Sequence, residues 1–269
     1  MKAFFETLRK RIPIPPLLII TFLAVLAVWW VYTPPGLLGK MDAIGYAVCH
    51  RIFARSYLIG DRALPLCARC TGMHLGAFFG LLYLTRRGKR GGLPLKKFLA
   101  IFLLFLMAFG LDGVNSYLNL INRFPYLYTT QNWMRLTSGA FVGIGISAVL
   151  YPIFNQSMWQ DWIEEPVVKT WKQMGTLLLI AALVIPAILS ENPILLYPLA
   201  ILSALNVLVV LTMIYTIIWV MLTRNDNQFD HLKELRWFLL AGLTTAILQI
   251  AVMDYARFLL TGTWNGFLS

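Results

Sequence analysis

All three cysteines and two of the three histidines of this chain lie in one short stretch. Cys49-His50-Arg51 is followed, after a connector, by Pro65-Leu66-Cys67-Ala68-Arg69-Cys70-Thr71-Gly72-Met73-His74. Sulfur and imidazole at this density suit three chemistries. In a metal site, Cys67 and Cys70 supply two thiolates, Cys49 a third, and His50 or His74 completes a tetrahedral set that favours zinc or a similar soft metal. In a redox site, Cys67 and Cys70 form a reversible disulfide, their thiolate favoured by a helix N-terminus and nearby arginines, and pass electrons to a quinone. In a structural site, Cys49 joins one of the pair and staples the connector to the following helix. Either disulfide scheme leaves one thiol over, so the odd count favours the metal. Cys49 and His50 are adjacent and ligate together only through a bent backbone. His74 lies one helical turn beyond Cys70 and needs no such bend, although a lone helical histidine is commonly just hydrogen-bonded inside a bundle.

Arginines crowd the same region. Arg51, Arg55, Arg62, Arg69 and Arg135 are each suited to anchoring at a lipid interface. Together they also suit one anion, because planar guanidinium forks match phosphate and carboxylate. Arg51, Arg55, Arg69 and Arg135 are therefore candidates to bind an anionic lipid headgroup or a small anionic substrate. Asp112 and Asn115, with Ser116 and Asn119, share one face of an apolar segment. A carboxylate at membrane depth is costly and usually partnered or functional. Arg135 is its expected partner, with Asp112, Asn115 and Thr71 expected to support the ligands. Asp254 and Arg257 are expected to form a local ion pair.

The elements that position these residues must be membrane helices. The chain is 59% hydrophobic and only 13% charged over 269 residues, with a mean hydropathy of +0.70. That leaves too little polar surface for a water-soluble fold. Seven spans are predicted, at 15–32, 65–85, 99–120, 134–154, 174–189, 193–222 and 237–260, each near the roughly 20 residues a crossing needs. With the N-terminus inside, fifteen of the 23 Lys and Arg residues fall inside, six of them in the loop 86–97, and eight fall outside. That excess follows the positive-inside rule. The first apolar run follows Arg9-Lys10-Arg11 but ends in Trp29-Trp30 and shows no small-residue cleavage site. It reads as an uncleaved anchor. A net charge of +11 raises nucleic acid as a partner, but no basic stripe interleaved with aromatics supports it.

A short helix over 42–57, carrying Cys49 and His50 at its centre, is expected on the outer interface. Along 65–85, 100° per residue puts Cys67, Cys70 and His74 on one face, and Gly72, Gly76 and Gly80 on the other as a small-residue ridge. Gly139 and Gly143 have the same packing spacing. Four regions follow: an anchor helix at 1–39, a Cys/His/Arg-bearing core at 40–153, an inner interfacial connector at 154–173 and a three-helix module at 174–269.

Cys49-His50-Arg51, Arg55-Ser56, Pro65-Leu66-Cys67-Ala68-Arg69-Cys70-Thr71-Gly72, Asp112-Gly113 and Arg135-Leu136-Thr137-Ser138-Gly139 together resemble a prokaryotic membrane-protein family filed as the domain of unknown function DUF2085. The resemblance covers about residues 45–145. It implies a small helical membrane core and no established activity, substrate or cofactor. His74 stands where that family usually has an aromatic, which favours His50 as the fourth ligand.

The sequence thus points to an all-α, polytopic membrane bundle of about seven transmembrane helices plus short interfacial helices, in a prokaryotic inner membrane. Its N-terminus is expected in the cytoplasm and a metal site at the extracytoplasmic face. The alternatives are a thiol–disulfide oxidoreductase working with a quinone, and a structural subunit that docks a membrane partner protein through its barren later helices.

Overall fold

A computed structural model describes residues 14–121 and 125–265. The basic N-terminal residues and Arg123 lie outside the described residues. Eight helices account for most of what is described: α1 (Ile14–Tyr32), α2 (Leu37–Val48), α3 (Ala68–Thr85), α4 (Lys96–Ile121), α5 (Asn132–Met158), α6 (Trp171–Leu189), α7 (Pro193–Leu222) and α8 (Arg236–Thr261). The protein is an all-α membrane bundle, with strands of only two to four residues.

Local chemistry sets several boundaries. Thr170 and Gln173 form a capping box at the start of α6, satisfying N–H groups that have no intrahelical partner. Asn192 accepts from Ile194 N–H ahead of Pro193 at the start of α7, where a missing N–H costs nothing. Gly262 closes α8 in the left-handed conformation, with φ of 66°, as glycine allows.

Six helices, α1 and α4 to α8, are long and apolar enough to cross a membrane. Their outward side chains explain why: Leu111 is 73% exposed and Ile194 81%, positions that only lipid makes favourable. The seventh expected span differs. It begins at Ala68 rather than at Pro65 and, with Arg69, His74 and three glycines among its 18 residues, is too polar to count with the six. Neighbours make up for this, since α5, α6 and α7 all pack against α3.

The α3–α5 contact is close enough to exclude side chains. A Cβ on Gly72 or Gly76 would fall on the carbonyl of Leu136 or Ala140, and one on Gly139 or Gly143 on the carbonyl of Arg69 or Met73. Small residues at four-residue spacing on both helices allow this approach, and tight packing of this kind is a main source of helix association in lipid.

The bundle has two differently built ends. At one, the connector between α2 and α3 forms a single 3-10 turn, Phe53–Arg55, and a hairpin of β1 (Leu58–Ile59) and β2 (Arg62–Ala63). At the other, β3 (Arg90–Gly92) pairs in parallel with β4 (Ile163–Pro166), reinforced by the ion pairs Lys89–Asp161 and Arg90–Glu165. The segment expected as a plain interfacial connector is thus the last turn of α5, then a strand that stitches two loops.

Candidate metal centre

The helix expected over 42–57 is a correction. It starts at Leu37 and stops at Val48, so Cys49 and His50 lie beyond its end rather than at its centre. Tertiary contact imposes the stop: a Cβ on Gly45 would fall on the Pro65 carbonyl, so the end of α2 lies directly against the chain that leads into α3. The backbone is extended at Cys49 and turns at Arg51, where φ is 51°. Across this junction Cys67 takes the N-cap of α3 and donates its N–H to Cys49 Sγ at 3.3 Å. Cys70 follows one turn later, and Thr71 Oγ1 donates to the Leu66 carbonyl at 3.1 Å, tying the first turn to the residue before the cap.

The result is three free thiols whose sulfurs all lie within 4.8 Å of one another. Cys49 and Cys67 are buried and Cys70 half-buried. Hydrogen bonds from the Cys67 and Cys70 thiols hold Cys49 well below the usual thiol range. Donation to Cys49 pushes Cys67 up to about 12. The three thiols thus interact directly, and the lowered Cys49 is the sulfur toward which the other two donate. Three sulfurs at this spacing could hold a metal ion.

Neither histidine nitrogen joins that set of atoms. His50 Nδ1 accepts the Ile52 N–H at 3.1 Å, so in the neutral ring the proton sits on Nε2. Burial pushes His50 below its usual range, and the charges of Arg55, Arg69 and Arg135 act in the same direction. His74 Nδ1 lies 3.5 Å from the Asn206 amide of α7.

The arginines gather on one turn of α4. Arg69 pairs with Asp112, Arg55 Nη2 donates to the Ser116 carbonyl at 2.8 Å, and Arg135 Nη2 donates to Ser116 Oγ at 3.2 Å. The expected Arg135–Asp112 pair is therefore corrected: Asp112 is held by Arg69 and by the Tyr128 hydroxyl, and Arg135 by Ser116 and Asn132. Arg51 pairs with Asp42 at 2.9 Å, beside Arg62 on the same carboxylate. Asn115 faces the loop after α4, accepting from Leu127 N–H and donating to the Tyr128 carbonyl, both at 2.7 Å.

One contributor escaped sequence reasoning. Arg257, near the end of α8, donates to the carbonyls of Tyr46, Cys49 and His50 at 2.5, 2.6 and 3.1 Å, and its guanidinium lies 4.0 Å from the Tyr46 ring centroid. Asp254 accepts from Trp29 Nε1 at 3.0 Å. The available signal was a cation near the end of an apolar helix, where it can reach carbonyls left over by another helix. Ile247 and Ile250 of α8 and Ala204 and Val207 of α7 share a buried cluster with Cys49, Leu66 and Cys67.

Residues 49–149 match the family described as Predicted membrane protein (DUF2085). The DUF2085 segment begins on Cys49 and ends inside α5, so it contains the three cysteines, Arg55, Arg69, Asp112 and Arg135. Arg257 and the helices α6 to α8 lie beyond it. An uncharacterized protein of Methanothermobacter thermautotrophicus is 28% identical over 102 residues, which is 38% of this chain and 83% of that protein. No solved structure matches the chain.

Proposed function

We propose that this is a multi-pass protein of a prokaryotic inner membrane that binds a soft divalent metal, zinc first, through Cys49, Cys67 and Cys70. Its N-terminus is cytoplasmic and the site lies at the extracytoplasmic face, lined by arginines suited to an anionic lipid headgroup or a small anionic substrate. One observation carries the reading: three reduced sulfurs, from two segments of chain, converge within 4.8 Å of one another. A tetrahedral zinc–thiolate set has sulfurs about 3.8 Å apart, from a metal–sulfur distance of about 2.3 Å. Small side-chain rotations bring the observed set to that spacing. The fourth position falls to His50, to His74 after its ring turns from Asn206, or to an outside ligand. His50 would have to release the Ile52 N–H or move its proton from Nε2, since a ligating nitrogen must be unprotonated.

Burial speaks against the oxidoreductase reading. A working Cys-x-x-Cys pair needs a reachable, low-pKa thiolate within the pair. Here Cys67 is 1% exposed, and donation to Cys49 pushes its thiol up.

Elemental analysis of full-length protein, purified in detergent without chelator, tests the proposal. About one zinc equivalent per chain is expected for a single site, and Cys49→Ser and Cys67→Ser should each lose it. Metal-free protein that also takes up no zinc on dialysis would overturn the reading. A Cys67–Cys70 disulfide that forms and reduces reversibly under thiol trapping would replace it with the redox one.

A further inference from the structure

Three guanidiniums meet on one turn of α4 with a single carboxylate between them. Asp112 and Ser116 are four residues apart, hence on one face. Arg69 from α3 reaches the first, while Arg55 from the 3-10 turn and Arg135 from α5 reach the second. Among the described residues, Asp112 is the only carboxylate that pairs with any of the three. Set against Asp112 alone the three guanidiniums carry two positive charges in excess, of which a thiolate in the neighbouring cysteine cluster offsets at most one. The arginine cluster is also poorly solvated: Arg135 is 8% exposed, and the Nε–H groups of Arg69 and Arg135 are buried and donate to none of the described residues.

An unbalanced, buried group of arginines is costly unless an anion supplies the missing charge and acceptors. The charge needed is about one to two, and planar donors with spare N–H groups suit an acceptor with several oxygens. The cluster also borders the lipid. Arg69 stacks over Phe109 at 5.4 Å, and Leu111 and Val114 of the same helix face outward.

We infer that Arg55, Arg69 and Arg135 form a binding site for a phosphate monoester dianion, carried either by a lipid headgroup or by a free phosphorylated molecule. This deepens the anion-binding part of the proposed function and does not require the metal. Arg69 keeps Asp112 as an orienting partner, and the orphaned N–H groups of Arg69 and Arg135, with the remaining donors of Arg55, take the phosphate oxygens.

The test uses full-length protein in phosphatidylcholine nanodiscs, with inorganic phosphate and phosphatidic acid as separate probes. Arg55→Gln, Arg135→Gln and Cys67→Ser are compared with the unsubstituted chain. Arg55 holds only a backbone carbonyl among the described residues, so Arg55→Gln decides the matter even if Arg135→Gln fails to fold. At least one probe should bind, and each folded arginine variant should weaken it by about tenfold or more, the worth of a charged hydrogen bond. Binding of phosphatidic acid alone assigns the site to a lipid headgroup, and competition by inorganic phosphate assigns it to a free phosphate. Cys67→Ser should lose zinc and keep the phosphate. The inference is overturned if neither probe binds above the phosphatidylcholine background, or if Arg55→Gln binds as the unsubstituted chain does. It is equally overturned if Cys67→Ser abolishes phosphate binding while elution and melting are unchanged, because the arginines would then serve only to balance thiolate charge.

Discussion

Asp112 shows what a residue-level reading of sequence can and cannot reach. Its face on α4 follows from periodicity, and so does the expectation of a cationic partner. Which cation arrives is a question of depth and reach along neighbouring helices, and two arginines compete for the turn. Arg69 takes Asp112, while Arg135 is occupied by Ser116 and Asn132. A double-mutant cycle separates the two assignments. Asp112→Asn and Arg69→Gln should each cost about 1.5–3 kcal/mol, the usual worth of a hydrogen bond to a charged group, and together much less than their sum. Asp112→Asn and Arg135→Gln should come closer to adding, because they share no direct contact. Reversible unfolding in detergent measures both, and strong coupling in the second cycle alone would restore the sequence-based pair. The cysteines, by contrast, were legible because there are only three in this chain and all lie in one stretch.

At the scale of elements, helices were readable where an apolar run and its caps agree, as at Asn192-Pro193. The end of α2 was not. Its residues continue a helical pattern past Cys49, and only the Pro65 backbone against Gly45 and the three carbonyls held by Arg257 stop it there. Long-range contact overrides local propensity in such a case. This makes Arg257 a positioning residue for Cys49, contributed by a helix outside the DUF2085 match. Arg257→Met should weaken zinc affinity by about 10–100-fold, the range typical of lost support around a ligand, and Arg257→Lys should recover part of it. Competition against a colorimetric chelator reads the change, and unchanged affinity in Arg257→Met would deny the role. The α3–α5 seam makes a second demand. Gly76→Val would put a branched side chain on the Ala140 carbonyl, an overpacking that costs about 1–3 kcal/mol or more where backbone cannot yield. A lower melting temperature in detergent, with loss of bound zinc, is the expected result.

For the whole molecule, composition alone declared a membrane protein, and apolar runs of about 20 residues made its spans helices, which satisfy their own backbone in lipid. What composition could not supply is the rank of α3, which is too polar to count among the candidate spans and is enclosed by α5, α6 and α7. Enclosure is what lets Arg69, Cys70 and His74 exist at membrane depth, since polar groups there are tolerated when they face protein rather than lipid. The same arrangement fixes a topology that can be tested. Successive spans alternate, so the Cys/Arg end and the end stitched by β3 and β4 lie on opposite sides of the bilayer. The second carries the cation-rich loop 86–97, which the positive-inside rule assigns to the cytoplasm. Asp61 is a turn position at one end, and Gly88, with φ of 70°, lies in the loop after α3 at the other. In intact cells, an impermeant maleimide should label Asp61→Cys above the background of the unsubstituted chain and leave Gly88→Cys unlabelled until the membrane is opened. The reverse pattern would put the thiols in the reducing compartment, where a three-cysteine zinc site is just as stable. It would also turn the arginine cluster toward cytoplasmic phosphates, so the orientation decides which pool of anions the site can meet.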